Sequence, residues 1–89
     1  MNAEPPYQPL DCRHYDALEL ACLRGDRLHV ELRDGRVLEG RAAGLQTESD
    51  KAEYLRLQTD SGEQRIRLDQ LQAITAQDPQ VFAGRMVFD

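Results

Sequence analysis

The sequence predicts a mainly β fold, with one N-terminal helix leading into a small, bent antiparallel barrel of five or six short strands. Three observations carry this. The apolar pattern changes from helical spacing to strict alternation at Asp26, an Asp34-Gly35 turn follows, and alternating runs then recur with no second helical stretch. At 89 residues and 10.1 kDa the chain suits one domain with one modest core.

Taken in order, Pro5, Pro6 and Pro9 mark residues 1–10 as a polar, flexible N-terminal tail, leaving 11–89 as the single domain. Asp11 is a suitable N-cap for a helix from Cys12 to about Arg24, and Gly25 is its stop. Leu10 and Tyr15 have the spacing of a hydrophobic staple. On a helical projection Leu18, Cys22 and Tyr15 form one narrow apolar stripe, with Asp16 and Glu19 beside it. Leu28, Val30 and Leu32 alternate with His29, Glu31 and Arg33, the pattern of a half-buried strand.

Asp34-Gly35 predicts a type I′ hairpin into a second strand from Arg36 to about Leu45. Gly40 and Gly44 within that strand predict a bulge or a sharp bend. Gln46 to Ala52 is a polar loop, Leu55 and Leu57 mark a third strand, and Ser61-Gly62 a second turn. Ile66 and Leu68 mark a fourth strand, interrupted at Asp69-Gln70 before Leu71–Thr75 continues as a fifth. A last edge strand, carrying Val81, Phe82, Met86, Val87 and Phe88, is expected to close against the first.

Composition narrows the function. Apolar residues are 40 % and charged residues 30 %, as in ordinary globular domains. Net charge is −5, and no third of the chain is basic, so generic attraction to nucleic acid or anionic lipid is not expected. No stretch has the length of a membrane span and the first residues lack signal-peptide character, so a cytoplasmic protein with reduced cysteines is expected. An enzyme would have to use Cys12, Cys22, His14 or His29. The two cysteines lie ten positions apart on one helix, about 15 Å, too far for a shared disulfide or zinc ion. No catalytic, cofactor or metal site is expected.

The segment Leu32-Arg33-Asp34-Gly35-Arg36-Val37-Leu38-Glu39-Gly40-Arg41, with a helix before it, resembles the first motif of Sm-like proteins. Those are SH3-like bent barrels, many of which bind RNA as rings. After Gly44 the run Leu45-Gln46-Thr47-Glu48-Ser49 lacks the Asp and Asn usual in the RNA-binding loop, so the resemblance implies the fold and not the RNA binding.

A closer resemblance is to the Rho-binding antiterminator (Rof) family. It is carried by Tyr7-Gln8-Pro9, Cys12, Tyr15-Asp16, Leu18-Glu19-Leu20-Ala21-Cys22, Glu31-Leu32, Asp34-Gly35, Glu53-Tyr54-Leu55, Gly62-Glu63 and Arg67-Leu68-Asp69. It implies a monomeric, acidic inhibitor of the transcription termination factor Rho that occupies Rho's basic primary RNA-binding region and hinders RNA loading. A diverged Sm-like RNA-binding module is the alternative. The site residues implied are Tyr15, Asp16 and Glu19 on the helix, with Lys51 the one base of the Gln46–Ala52 loop. Each also has a structural reading. Tyr15 is placed as the staple partner of Leu10, and Asp16 and Glu19 suit the helix macrodipole.

Overall fold

The computed structural model of the protein describes residues 6–77 and 84–88. Helix α1 spans Cys12–Arg24, and both of its ends are set by local sequence. Asp11 caps the start, its side chain accepting a hydrogen bond from the Arg13 N–H at 2.8 Å. At the other end Gly25 takes the left-handed conformation (φ 65°). Its N–H donates to the Cys22 carbonyl at 3.1 Å, and the Asp26 N–H donates to the Ala21 carbonyl at 3.0 Å. That pair of bonds is the Schellman arrangement.

Six antiparallel strands follow, β1 (Arg27–Leu32), β2 (Val37–Thr47), β3 (Glu53–Thr59), β4 (Gly62–Arg67), β5 (Leu71–Ala76) and β6 (Arg85–Val87), in the spatial order β4-β3-β2-β1-β5-β6. Strand β2 does the bending. Its first half, Val37 to Arg41, pairs with β1, and its second half, Arg41 to Thr47, pairs with β3. The register shifts between Ala42 and Gly44, leaving Ala43 as the extra residue of a bulge, which is what a glycine inside a strand predicts. Gly40 has a separate cause. A Cβ there would collide with the Gln58 carbonyl, so only glycine lets β2 pass so close to β3.

The core takes alternate residues from each strand, Leu28, Val30 and Leu32 of β1 and Leu55 and Leu57 of β3 among them, and Leu18 and Ala21 of the helix close it. Leu68 belongs to this core from a 3₁₀ turn, Leu68–Gln70, rather than from β4.

Three expectations are corrected. The Asp34-Gly35 turn is not type I′, because Gly35 (φ 93°) has positive φ and Asp34 does not. The Gly35 N–H donates to the Leu32 carbonyl at 3.0 Å and the Leu32 N–H to the Arg36 carbonyl at 2.9 Å, which makes a three-residue loop with its glycine at the end. The second turn is Asp60-Ser61, and Gly62 opens β4. The last strand pairs with β5 and not with β1, since β1 already has β2 on one edge and β5 on the other. Of the residues expected in that strand, Val81 and Phe82 lie outside the described ones, and Phe88 is buried in the core.

Candidate functional site

Helix α1 packs on β2 through Leu18 and Ala21, both fully buried, with Cys22 and Tyr15 partly buried beside them. Asp16 and Glu19 lie beside this packed stripe and are exposed. Among the described residues neither has an ion-pair partner, whereas Arg13 pairs with the capping Asp11 at 3.4 Å and Arg24 at the other end is exposed.

Tyr15 has a different character. It is half-buried and packed on the core, as is Leu10, which supports a structural share for the staple residues. Burial, with the Glu53 carboxylate beside it, pushes its hydroxyl above the usual tyrosine range. The same Glu53 accepts from the Tyr7 hydroxyl at 3.5 Å, and burial together with Glu53 and Asp69 pushes Tyr7 up to about 12. Two tyrosines therefore converge on one carboxylate of β3, fixing the helix and the preceding chain against the sheet.

That preceding chain is clamped further. The Gln8 N–H donates to Asp69 Oδ2 at 3.1 Å, and the Arg67 guanidinium lies over the Tyr7 ring at 5.5 Å. Arg67 also pairs with Asp69 at 3.1 Å, both side chains nearly buried. Tyr7, Glu53, Arg67 and Asp69, all among the residues that carry the family resemblance, are thus occupied in holding residues 7–10 on the barrel.

Lys51 stands elsewhere, exposed in the turn between β2 and β3. It takes positive φ (70°), its N–H donating to the Glu48 carbonyl at 2.8 Å. Among the described residues no hydrogen bond or ion pair joins it to α1. The structure therefore groups Tyr15, Asp16 and Glu19 and places Lys51 on a separate element.

Two concavities differ in lining. One, about 270 Å³, lies between α1 and the bulge of β2 and is walled by Tyr15, Glu19, Cys22, Leu23, Ala43, Gly44 and Leu45. Burial pushes the Cys22 thiol up to about 11, so it is a neutral wall at physiological pH. The other, about 410 Å³, is lined by Arg36, Arg65, Arg67 and Tyr54 with Leu32, Leu38, Ile66, Gln64 and Gln70, and by no carboxylate. Sequence reasoning missed the first. Leu23, an apolar residue off the packed stripe of the helix, was the signal that could have found it.

Of the other reactive side chains, Cys12 is exposed and the two histidines have aromatic or carboxylate neighbours. His14 stacks edge-on against Phe88 at 4.9 Å, and His29 meets Glu39 at 2.9 Å. Among the described residues no group of three His, Cys, Asp or Glu side chains is placed to hold a metal ion, and no helix is long and apolar enough to cross a membrane.

The family model described as modulator of Rho-dependent transcription termination (ROF) matches residues 9–88. The chain is 38 % identical over 65 residues to Protein rof of Escherichia coli (strain K12), covering 73 % of this chain and 76 % of that protein. The same figures hold for Protein rof of Shigella flexneri. Among solved structures it is similar to YaeO bound to magnesium from Vibrio cholerae O395, with TM-score 0.76, 31 % identity, and coverage of 84 % of this chain and 97 % of that one.

Proposed function

The chain belongs to the Rof family, the modulators of Rho-dependent transcription termination, and on that premise we propose that it binds Rho over its basic primary RNA-binding region, hinders RNA loading and so relieves termination. The observation that carries this is the exposed Asp16–Glu19 pair on α1, which has no ion-pair partner among the described residues. A surface that captures RNA phosphates presents Lys and Arg, and a rigid helix displaying two carboxylates one turn apart is complementary to it. Tyr15 contributes from the seam between helix and sheet. Lys51, on its own turn, is a second and separate contact.

The protein acts in this reading as a cytoplasmic monomer with no cofactor. The outer edge of β4 carries Glu63, Arg65 and Arg67, which makes it a poor template for a second chain. A stable hexamer or heptamer in light scattering would contradict that. With no basic third, the isolated protein is expected not to retard single-stranded RNA at micromolar concentration in physiological salt. Retardation without Rho would move the RNA-binding alternative to first place.

The central test is Asp16→Lys with Glu19→Lys. Charge reversal sets like charges against Rho and is expected to weaken binding by about a hundredfold or more. The fold should persist by circular dichroism, because both residues are exposed. Wild-type binding should weaken as salt rises. A folded double mutant that still binds Rho and blocks termination would remove the helix from the interface.

A further inference from the structure

Asp16 and Glu19 share the outward face of α1 with two leucines. Residues three and four apart are neighbours on a helix, so Leu20 follows Asp16, Leu23 follows Glu19, and the four form one patch. Leu20 is 42 % and Leu23 80 % exposed. A single exposed leucine needs no explanation. Leu23, however, also forms a wall of the 270 Å³ groove between α1 and β2, whose opposite wall is the bulge at Ala43 and Gly44. Gly44 contributes no side chain and Ala43 only a methyl, and the Arg56 guanidinium, paired with Glu63 at 2.9 Å, packs beside Gly44.

We infer that Leu23, on the wall of this groove, is the apolar anchor of the docking face and packs against one aliphatic side chain of a Rho surface segment in which that side chain lies beside a Lys or Arg. The inference rests on the proposal that α1 meets Rho. Charge decides the occupant. Glu19 stands on the rim without an ion-pair partner among the described residues, Asp16 is one turn away, and a basic neighbour to the seated side chain would satisfy both. A second copy of this chain would instead set carboxylates against carboxylates across the contact.

The test is calorimetric titration of the full chain into Rho at two salt concentrations. Leu23→Ser removes the apolar wall at an exposed position and is expected to weaken binding by about 10- to 100-fold, the worth of one buried leucine. Its salt dependence should match wild type, since no charge changes. Leu23→Met should bind within about threefold of wild type, because a volume-conserving apolar swap keeps the contact. If Leu23→Ser binds like wild type while the Asp16→Lys, Glu19→Lys protein does not bind, the groove is empty in the complex and this inference falls alone. If both variants bind like wild type, the helix is not the interface and both proposals fall. If the free wild type is dimeric in light scattering and Leu23→Ser is monomeric, the occupant is a second copy and the inference is overturned.

Discussion

The outward face of α1 and the arginine-lined end of the barrel handle charge in opposite ways. On the helix, Asp16 and Glu19 have no ion-pair partner among the described residues. At the barrel end each arginine has a carboxylate close by, Arg36 with Asp34 at 2.9 Å, Arg65 with Glu48 at 3.0 Å and Arg67 with Asp69 at 3.1 Å. The larger concavity therefore offers little net charge despite its three arginines, while Glu19 on the rim of the smaller one has no ion-pair partner among the described residues. The paired charges help hold the fold, and the helix carboxylates face solvent.

Mutations at the two regions are expected to separate stability from binding. The largest stability effect is expected from Arg67→Ala. It leaves Asp69 nearly buried without its cation and strips the face of Tyr7, a change of about 3 kcal/mol. For a domain of this size that lowers Tm by on the order of 10–20 °C. Rho affinity of the folded fraction should be unchanged, as calorimetry below the melting range would show. An Arg67→Ala protein that melts like wild type but no longer binds Rho would invert the comparison.

A smaller effect is expected from alkaline pH. Tyr7 is raised from 10.0 to about 12 and Cys22 from 9.0 to about 11, so both are held neutral in the folded state beyond the pH at which the unfolded chain ionises. The stability they contribute is fully present below about pH 9 and is lost progressively between pH 9 and pH 12. Tyr7→Phe should flatten the upper part of that decline in a pH series of denaturant melts. A steeper decline in the variant would be the wrong sign.

The smallest effect is expected from Arg36→Gln and Arg65→Gln. Their ion pairs are half-exposed or more on the arginine side, 68 % for Arg36 and 50 % for Arg65, and surface pairs of this kind contribute about 0–1 kcal/mol. Neither should change Rho binding by more than about twofold, a small fraction of one contact's worth. A large loss of binding in either would show that the barrel end belongs to the interface.

Local chemistry was legible where it is decided locally. Asp11, Gly25 and the apolar spacing between them specify α1 to the residue, because caps and helix hydrogen bonds reach only a few positions along the chain. The alternation in β1, the bulge at Gly44 and the outward placement of Asp16 and Glu19 follow from the same short-range rules. The family resemblance reached further, yet it grouped residues without sorting them. Tyr7, Glu53, Arg67 and Asp69 looked no different in sequence from Asp16 and Glu19, although the first four fasten the chain and the last two face solvent.

What only the tertiary structure decided is pairing between distant positions. Tyr7 meets Glu53 across 46 positions and Gln8 meets Asp69 across 61, contacts that no periodicity encodes. The edge on which β6 settles depended on which edges of β1 were already taken, and the need for glycine at position 40 depended on where Gln58 came to lie. The groove beside Leu23 likewise exists because a helix and a strand bulge, twenty residues apart in sequence, pack side by side. By itself the sequence determined the elements, the acidity and the family. Which charges are neutralised and which are left facing outward was settled by packing, since a carboxylate's partner is set by distance in space and not by distance along the chain.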